Sequence, residues 1–149
     1  MFLSTIAVFT LVFTTVSCSS DDNNSSDRII NYSELPAEAK TFTETYFSDL
    51  EIMRVEKDMN SIDEYYEVKF IGGAEIDFTQ SGIWTNVDGN NKAIPTGFIL
   101  TPIVEYVTTN YSVTSIESIE KKTYGFDVDL VNNTELRFDL EGNFLGLDN

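Results

Sequence analysis

Apolar residues recur along this chain in two spacings. Over residues 35–47 they fall three and four apart, so that Ala39, Phe42, Tyr46 and Phe47 share one face while Glu38, Lys40 and Glu44 lie elsewhere. That period predicts an amphipathic helix running to about Phe47. Leu35 and Pro36 open it, since proline in the first turn gives up an N–H that has no intrahelical partner anyway. A second helix opens at Thr101, read as its cap, and Pro102, with Ile103, Tyr106, Val107 and Tyr111 as its apolar face. After each helix the period drops to two. Short strands are expected near residues 52–57, 65–71, 74–79 and 83–87, and at the corresponding places after the second helix. Tyr66, Val68 and Phe70 alternate with Glu67 and Lys69, and Ile76 and Phe78 alternate with Glu75, Asp77 and Thr79. Such alternation is the mark of strands buried on one face only.

The pattern occurs twice. At an ungapped offset of 60, Val68 meets Val128, Glu75 meets Glu135, Phe78 meets Phe138, Gly82 meets Gly142 and Asp88 meets Asp148. Tyr66 with Phe126, Phe70 with Leu130, Ile76 with Leu136 and Trp84 with Phe144 are conservative matches. Further upstream the offset is 64, matching Phe47 with Tyr111, Ile52 with Ile116, Val55 with Ile119 and Lys57 with Lys121. Four extra residues therefore sit between Lys57 and Tyr66, in a longer loop. An internal repeat of this size predicts two tandem helix-plus-antiparallel-strand units of an α+β fold. The expected divisions are 34–91 and 92–149.

Turn chemistry sets the register. Leu140, Glu141 and Gly142 suit a three-residue hairpin loop with glycine in the left-handed position, which places Phe138 opposite Phe144 and, by repetition, Phe78 opposite Trp84. These aromatics are expected as core pairs. A two-residue loop at 72–73 would instead pair Phe70 with Glu75 and mix apolar and acidic residues on one face. Pairing core with core needs a three-residue connection or a bulge. In the last strand of each unit, strict alternation sends Ile83, Val87, Leu145 and Leu147 to the open face. Either a further bulge turns them inward or that face carries an apolar strip.

Composition narrows the chemistry. Eleven Phe and seven Tyr argue for a real core, while 25 acidic against nine basic residues leave a net charge of −16. So acidic a surface repels phosphate backbones, which argues against nucleic acid, and favours solubility or a partner with a basic patch. The chain has no histidine and one cysteine, Cys18. The usual general base near neutral pH, an internal disulfide and a thiolate metal cluster are thus all missing. No nucleophile–base set, phosphate loop or dinucleotide fingerprint stands in the sequence. No catalytic residue, metal ligand or cofactor is assigned, and the chain is read as not an enzyme. Asp88, Gly89, Asn90 and Asn91 form an Asx-rich loop that could offer oxygens to calcium, but the spacing fits a plain turn better.

Residues 1–17 are apolar and uncharged and stop at Cys18 and a polar run. This is the shape of a secretory signal. Thr15–Val16–Ser17–Cys18 resembles a bacterial lipobox, with Thr15 where leucine is usual. It implies cleavage before Cys18 and lipidation of its thiol, with residues 18–33 as anchor and flexible acidic tether. Asp21 and Asp22 look like the export tags of Bacteroidetes-type surface lipoproteins. The expected location is the outer membrane, on its periplasmic or outer side, with membrane contact through the lipid alone. Beside a lipobox, the N-x-S/T triplets at Asn24, Asn31, Asn110 and Asn132 are chance matches in an Asn-rich chain.

Two successive units with a Pro-led helix, a Y/F-x-V-x-L/F strand, an E-hydrophobic-x-F strand and a G-x-W/F turn resemble the PepSY-like family over residues 35–149. The resemblance implies the fold of the β-lactamase inhibitor protein: one curved sheet made by both units, with the helices packed on one face. With the lipobox and the missing catalytic sets, the expectation is a non-catalytic, envelope-anchored protein-binding module, and the resemblance implies inhibition of an envelope enzyme as one form of it. No inhibitory residue carries over. From alternation alone, the face away from the helices carries Glu67, Lys69, Glu75, Asp77, Asp127, Asp129, Glu135 and Arg137, the candidate partner-binding residues. The alternatives are a structural or assembly lipoprotein without inhibitory activity and, behind it, a calcium-binding domain.

Overall fold

A computed structural model describes residues 27–148. In chain order the elements are β1 (Asp27–Ile30), a 3-10 turn (Tyr32–Glu34), α1 (Ala37–Tyr46), β2 (Ile52–Asp58), β3 (Tyr66–Phe70), β4 (Glu75–Phe78), β5 (Trp84–Asp88), α2 (Thr101–Asn110), β6 (Ile116–Lys122), β7 (Gly125–Leu130), β8 (Glu135–Asp139) and β9 (Phe144–Leu147). The strands form one open sheet in sequence order, every neighbour antiparallel. This is an α+β fold, with one helix ahead of each run of four strands.

Register explains which face is buried. Residues paired across antiparallel strands point the same way. Ile30, Val55, Val68, Ile76, Val87, Ile119, Val128, Leu136 and Leu147 are paired in succession across all nine strands. From Val55 to Leu136 this row is essentially inaccessible to solvent, each side chain contributing about 1.5–3 kcal/mol of burial free energy. Both helices cover this face. Phe42 of α1 meets Phe78 edge-on and stacks on Trp84, while Tyr106 of α2 meets Phe138 edge-on and stacks on Phe144. Phe98, in the connection to α2, adds rings against Phe42 and Trp84.

The connections answer both register questions. Phe70 N–H bonds the Ala74 carbonyl, and Leu130 N–H the Thr134 carbonyl, so each hairpin closes around a three-residue loop, 71–73 and 131–133. Val68 then faces Ile76 and Tyr66 faces Phe78. Gly82 (φ +89°) and Gly142 (φ +85°) take the left-handed position of their hairpins, and Phe78 pairs with Trp84 as Phe138 does with Phe144. A register shift in each of those hairpins turns Val87 and Leu147 to the helix side, opposite Ile76 and Leu136. Strict alternation, which sends them outward, is overridden there. Val87 is buried, whereas Leu147 on the edge strand remains 53% exposed.

Other details depart from the sequence reading. Asp27–Ile30, expected within the tether, is a strand paired to β2, since Ile30 can cover Val55. Leu100, not Thr101, is the N-cap of α2, with Thr101 and Pro102 inside the first turn. Thr43 is buried in α1 because its hydroxyl donates to the Ala39 carbonyl at 2.8 Å.

Candidate docking surface on the open sheet face

The face away from the helices is a lattice of charge. One cross-strand row reads Ile29, Glu56, Glu67, Asp77, Asn86, Glu120, Asp127, Arg137, Gly146. The adjacent row reads Arg54, Lys69, Glu75, Asp88, Ser118, Asp129, Glu135. All eight candidate residues thus lie on this face, in two groups.

The first group centres on Lys69. Its Nζ lies 2.8 Å from Glu67, 3.5 Å from Glu56 and 3.8 Å from Glu75, and Arg54 Nε lies 3.0 Å from Glu56. Glu56 and Glu67 are directly opposed, an unfavourable like-charge pair unless a proton or cation intervenes. Burial, the Glu56 hydrogen bond and the Asp77 charge outweigh the pull of Lys69 and push the Glu67 carboxyl up to about 7. Burial works against the charge of Glu56 too, but Arg54, Glu67 and Lys69 together hold it below the ordinary carboxylate value. Asp77 is only 6% exposed and accepts the Asn86 amide at 3.0 Å. Burial first, then the charges of Glu75 and Glu64, push it up to about 6 against that hydrogen bond. Beside these groups lies a hollow of about 300 Å³, lined by Glu56, Asp58, Glu64, Glu67, Glu75, Asp77 and Asn86.

In the second group, opposite charges meet directly. Lys122 pairs with Glu120 and, at 3.9 Å, with Asp127. Arg137 pairs with Asp148 and reaches Asp127 at 3.9 Å. The Tyr124 hydroxyl donates to Asp127, a bond that, with burial and the carboxylate's charge, pushes the phenol up to about 12. Ser118 Oγ donates to Asp129 at 2.7 Å. Glu135 is exposed at the rim.

Sequence alternation did not bring in Glu56, Asp58, Glu64, Asn86 or Tyr124. The match of Glu56 to Glu120 at offset 64 was the available signal for the first. The others depend on which strands are neighbours. In the Asp88–Asn91 loop, Asp88 Oδ1 accepts the Asn90 N–H at 2.5 Å, and the Asn91 N–H goes to Glu117, outside the loop, at 2.6 Å. Among the described residues, no three acidic, cysteine or histidine side chains converge to hold a metal ion. Cys18 lies outside the described residues.

Residues 64–146 match the family described as "Putative beta-lactamase-inhibitor-like, PepSY-like". The chain belongs to the PepSY-like family. Solved structures agree with it closely. A "putative calcium-regulated periplasmic protein" from Bacteroides thetaiotaomicron is 33% identical, with a TM-score of 0.78 over 83% of this chain and 97% of that one. A "putative periplasmic protein" of the DUF2874 family from Bacteroides vulgatus is 32% identical, with a TM-score of 0.74 over 87% and 99%. Another B. vulgatus protein, described as periplasmic and of unknown function, is 29% identical, with a TM-score of 0.73 over 83% and 99%. No functionally curated protein matches the chain. Among the described residues of this PepSY-like chain, no helix is long and apolar enough to cross a membrane.

Proposed function

We propose that this chain is an exported, non-catalytic binding module, held at the envelope by a lipid on Cys18, that docks a protein with a basic patch on its open sheet face. The observation that carries the reading is the helix-free face itself. Strands β2 to β8 present acidic groups in two adjacent rows, and their fixed spacing complements a positive surface without rearrangement. Two tandem units, each a helix followed by four strands with the same turns, supply the two charge groups. Inhibition of an envelope enzyme is the form such docking takes if the partner's basic patch borders its active site. The periplasmic descriptions of the relatives support export.

The test uses the exported chain as bait for envelope extract, beside an Asp127→Lys/Asp129→Lys variant. A specific partner retained by the first and lost by the second is expected. Absence of a specific partner, or one indifferent to the variant, overturns the reading. Rates of β-lactamases and peptidases then separate an inhibitor from a structural lipoprotein, which leaves every rate unchanged. Labelling with radioactive palmitate, lost on Cys18→Ala, tests the anchor.

The description of the B. thetaiotaomicron relative favours a second reading, regulation by calcium. The hollow beside Asp77 gathers the most carboxylates, though they do not converge on one point. A cation specific for the folded state must raise Tm. A Tm unmoved by calcium, or moved equally in Asp77→Asn, retires it.

A further inference from the structure

Strands β5 and β9 are built alike and finished differently. Each follows a glycine turn, pairs its first aromatic with a core phenylalanine across a shifted register, and then turns an aliphatic residue inward. The outer edge of β5 is taken by β6, which places Ile119 opposite Val87 and Glu120 opposite Asn86. Lys121, two residues after Ile119, sets its Nζ 3.8 Å above the Trp84 ring and donates to the Trp84 carbonyl at 2.9 Å. Among the described residues nothing pairs with the outer edge of β9. Leu147 and Phe144, the counterparts of Val87 and Trp84, are 53% and 36% exposed. The Asp148 amide bonds the Glu135 carbonyl, so alternation turns the N–H and C=O of Leu147 outward. An edge with exposed leucines and neither lysine nor proline in it is a template for another strand.

We propose that the outer edge of β9 takes up an extended lysine-bearing segment of a partner protein as an antiparallel tenth strand, of pattern aliphatic–polar–lysine. Its aliphatic side chain sits beside Leu147 and its lysine over the Phe144 ring, as Ile119 and Lys121 do on β5. The chemistry of the occupant follows from β6 and from charge, because a lysine-bearing strand is drawn to a chain of net charge −16. A second copy does not fit. Strand β9 carries no base of its own. Strand β1 has Arg28 before Ile30, so with Ile30 beside Leu147 in antiparallel pairing its arginine points away from Phe144. The aliphatic and lysine contacts of the incoming strand lie on the helix side of β9, opposite to the face that carries Asp127 and Asp129.

A peptide of residues 115–123, the chain's own β6 segment, is the probe, added to the isotopically labelled chain and followed by NMR. Amide shifts concentrated in residues 144–148, slowed hydrogen exchange at Leu147, and a loss of about tenfold or more in affinity on Leu147→Asp or on an Ile119→Asp peptide are expected. Leu147 is half exposed, so the variant keeps the core intact. A Lys121→Glu peptide binding as well as the original would overturn the lysine requirement. Shifts absent from β9, or binding unaffected by Leu147→Asp, would overturn the site. Self-association of the chain alone, abolished by Leu147→Asp, would give the edge to a second copy and overturn the assigned occupant.

Discussion

Replacing Asp77 by asparagine should stabilise this protein at neutral pH and do almost nothing at pH 4. Asp77 is 6% exposed, and its carboxyl titrates near 6 instead of the ordinary 3.8. The native state therefore holds the Asp77 proton more tightly than the unfolded chain does. Below 3.8 the side chain is neutral in both states and its stabilising protonation is fully present. Between 3.8 and 6 the native state binds more protons, so stability falls as pH rises, and above 6 the loss is complete. At ~1.4 kcal/mol per pH unit, the loss amounts to about 3 kcal/mol at most. Asparagine has the same shape and no charge to bury. The variant's carbonyl can still accept the Asn86 amide, now 3.0 Å from Asp77, and its new N–H groups face the carboxylates that share the hollow. Urea unfolding of both proteins from pH 4 to pH 8 measures the difference, and subtraction removes groups that titrate alike in the two. The variant's advantage should grow through pH 4–6 and level off near 7. Parallel curves, or a variant that loses ground as pH rises, would refute the claim that an ionised Asp77 is the strained form.

Two further outcomes follow from the same structure. Gly82→Ala and Gly142→Ala both force alanine to positive φ. A Cβ at Gly82, however, would come within 2.8 Å of Pro36 Cβ and 3.0 Å of the Ala39 nitrogen, whereas one at Gly142 meets Ile103 and Pro102 side chains no nearer than 3.2 Å. Thermal unfolding should show a cost of about 2–4 kcal/mol for the first and about 1–2 for the second, and equal costs would contradict the closer seat of α1. Lys69→Gln strips the shared cation from Glu56, Glu67 and Glu75. It should cost about 1–2 kcal/mol at pH 8 and less at pH 5, where Glu67, titrating near 7, has taken up its proton; a penalty independent of pH in urea unfolding would refute the shared-cation account.

The local elements were legible because they rest on short-range periods. Ala39, Phe42, Tyr46 and Phe47 announced α1, and Tyr66, Val68 and Phe70 announced β3, since each such segment must bury one face wherever it lands. The hairpin over Leu140–Gly142 was legible for a similar reason, left-handed backbone at a turn being the province of glycine. Alternation also assigned Glu67, Asp77, Asp127 and Arg137 to the face opposite the core residues between them.

Sequence by itself thus determined both helices, the strands that follow them, the core face of β3, β4, β7 and β8, and the charged face. Tertiary structure alone decided what lies beside what. The shift that turns Val87 inward depends on β4 offering Ile76 as a partner, and β1 exists because Ile30 finds Val55 in β2. The hollow around Asp77 needs Glu56, Glu67 and Asn86 from three other strands, and the burial that raises its carboxyl comes from that assembly. A period of two says which way a side chain points. It is silent on which strand will be its neighbour, because pairing is fixed by contacts far apart in the chain.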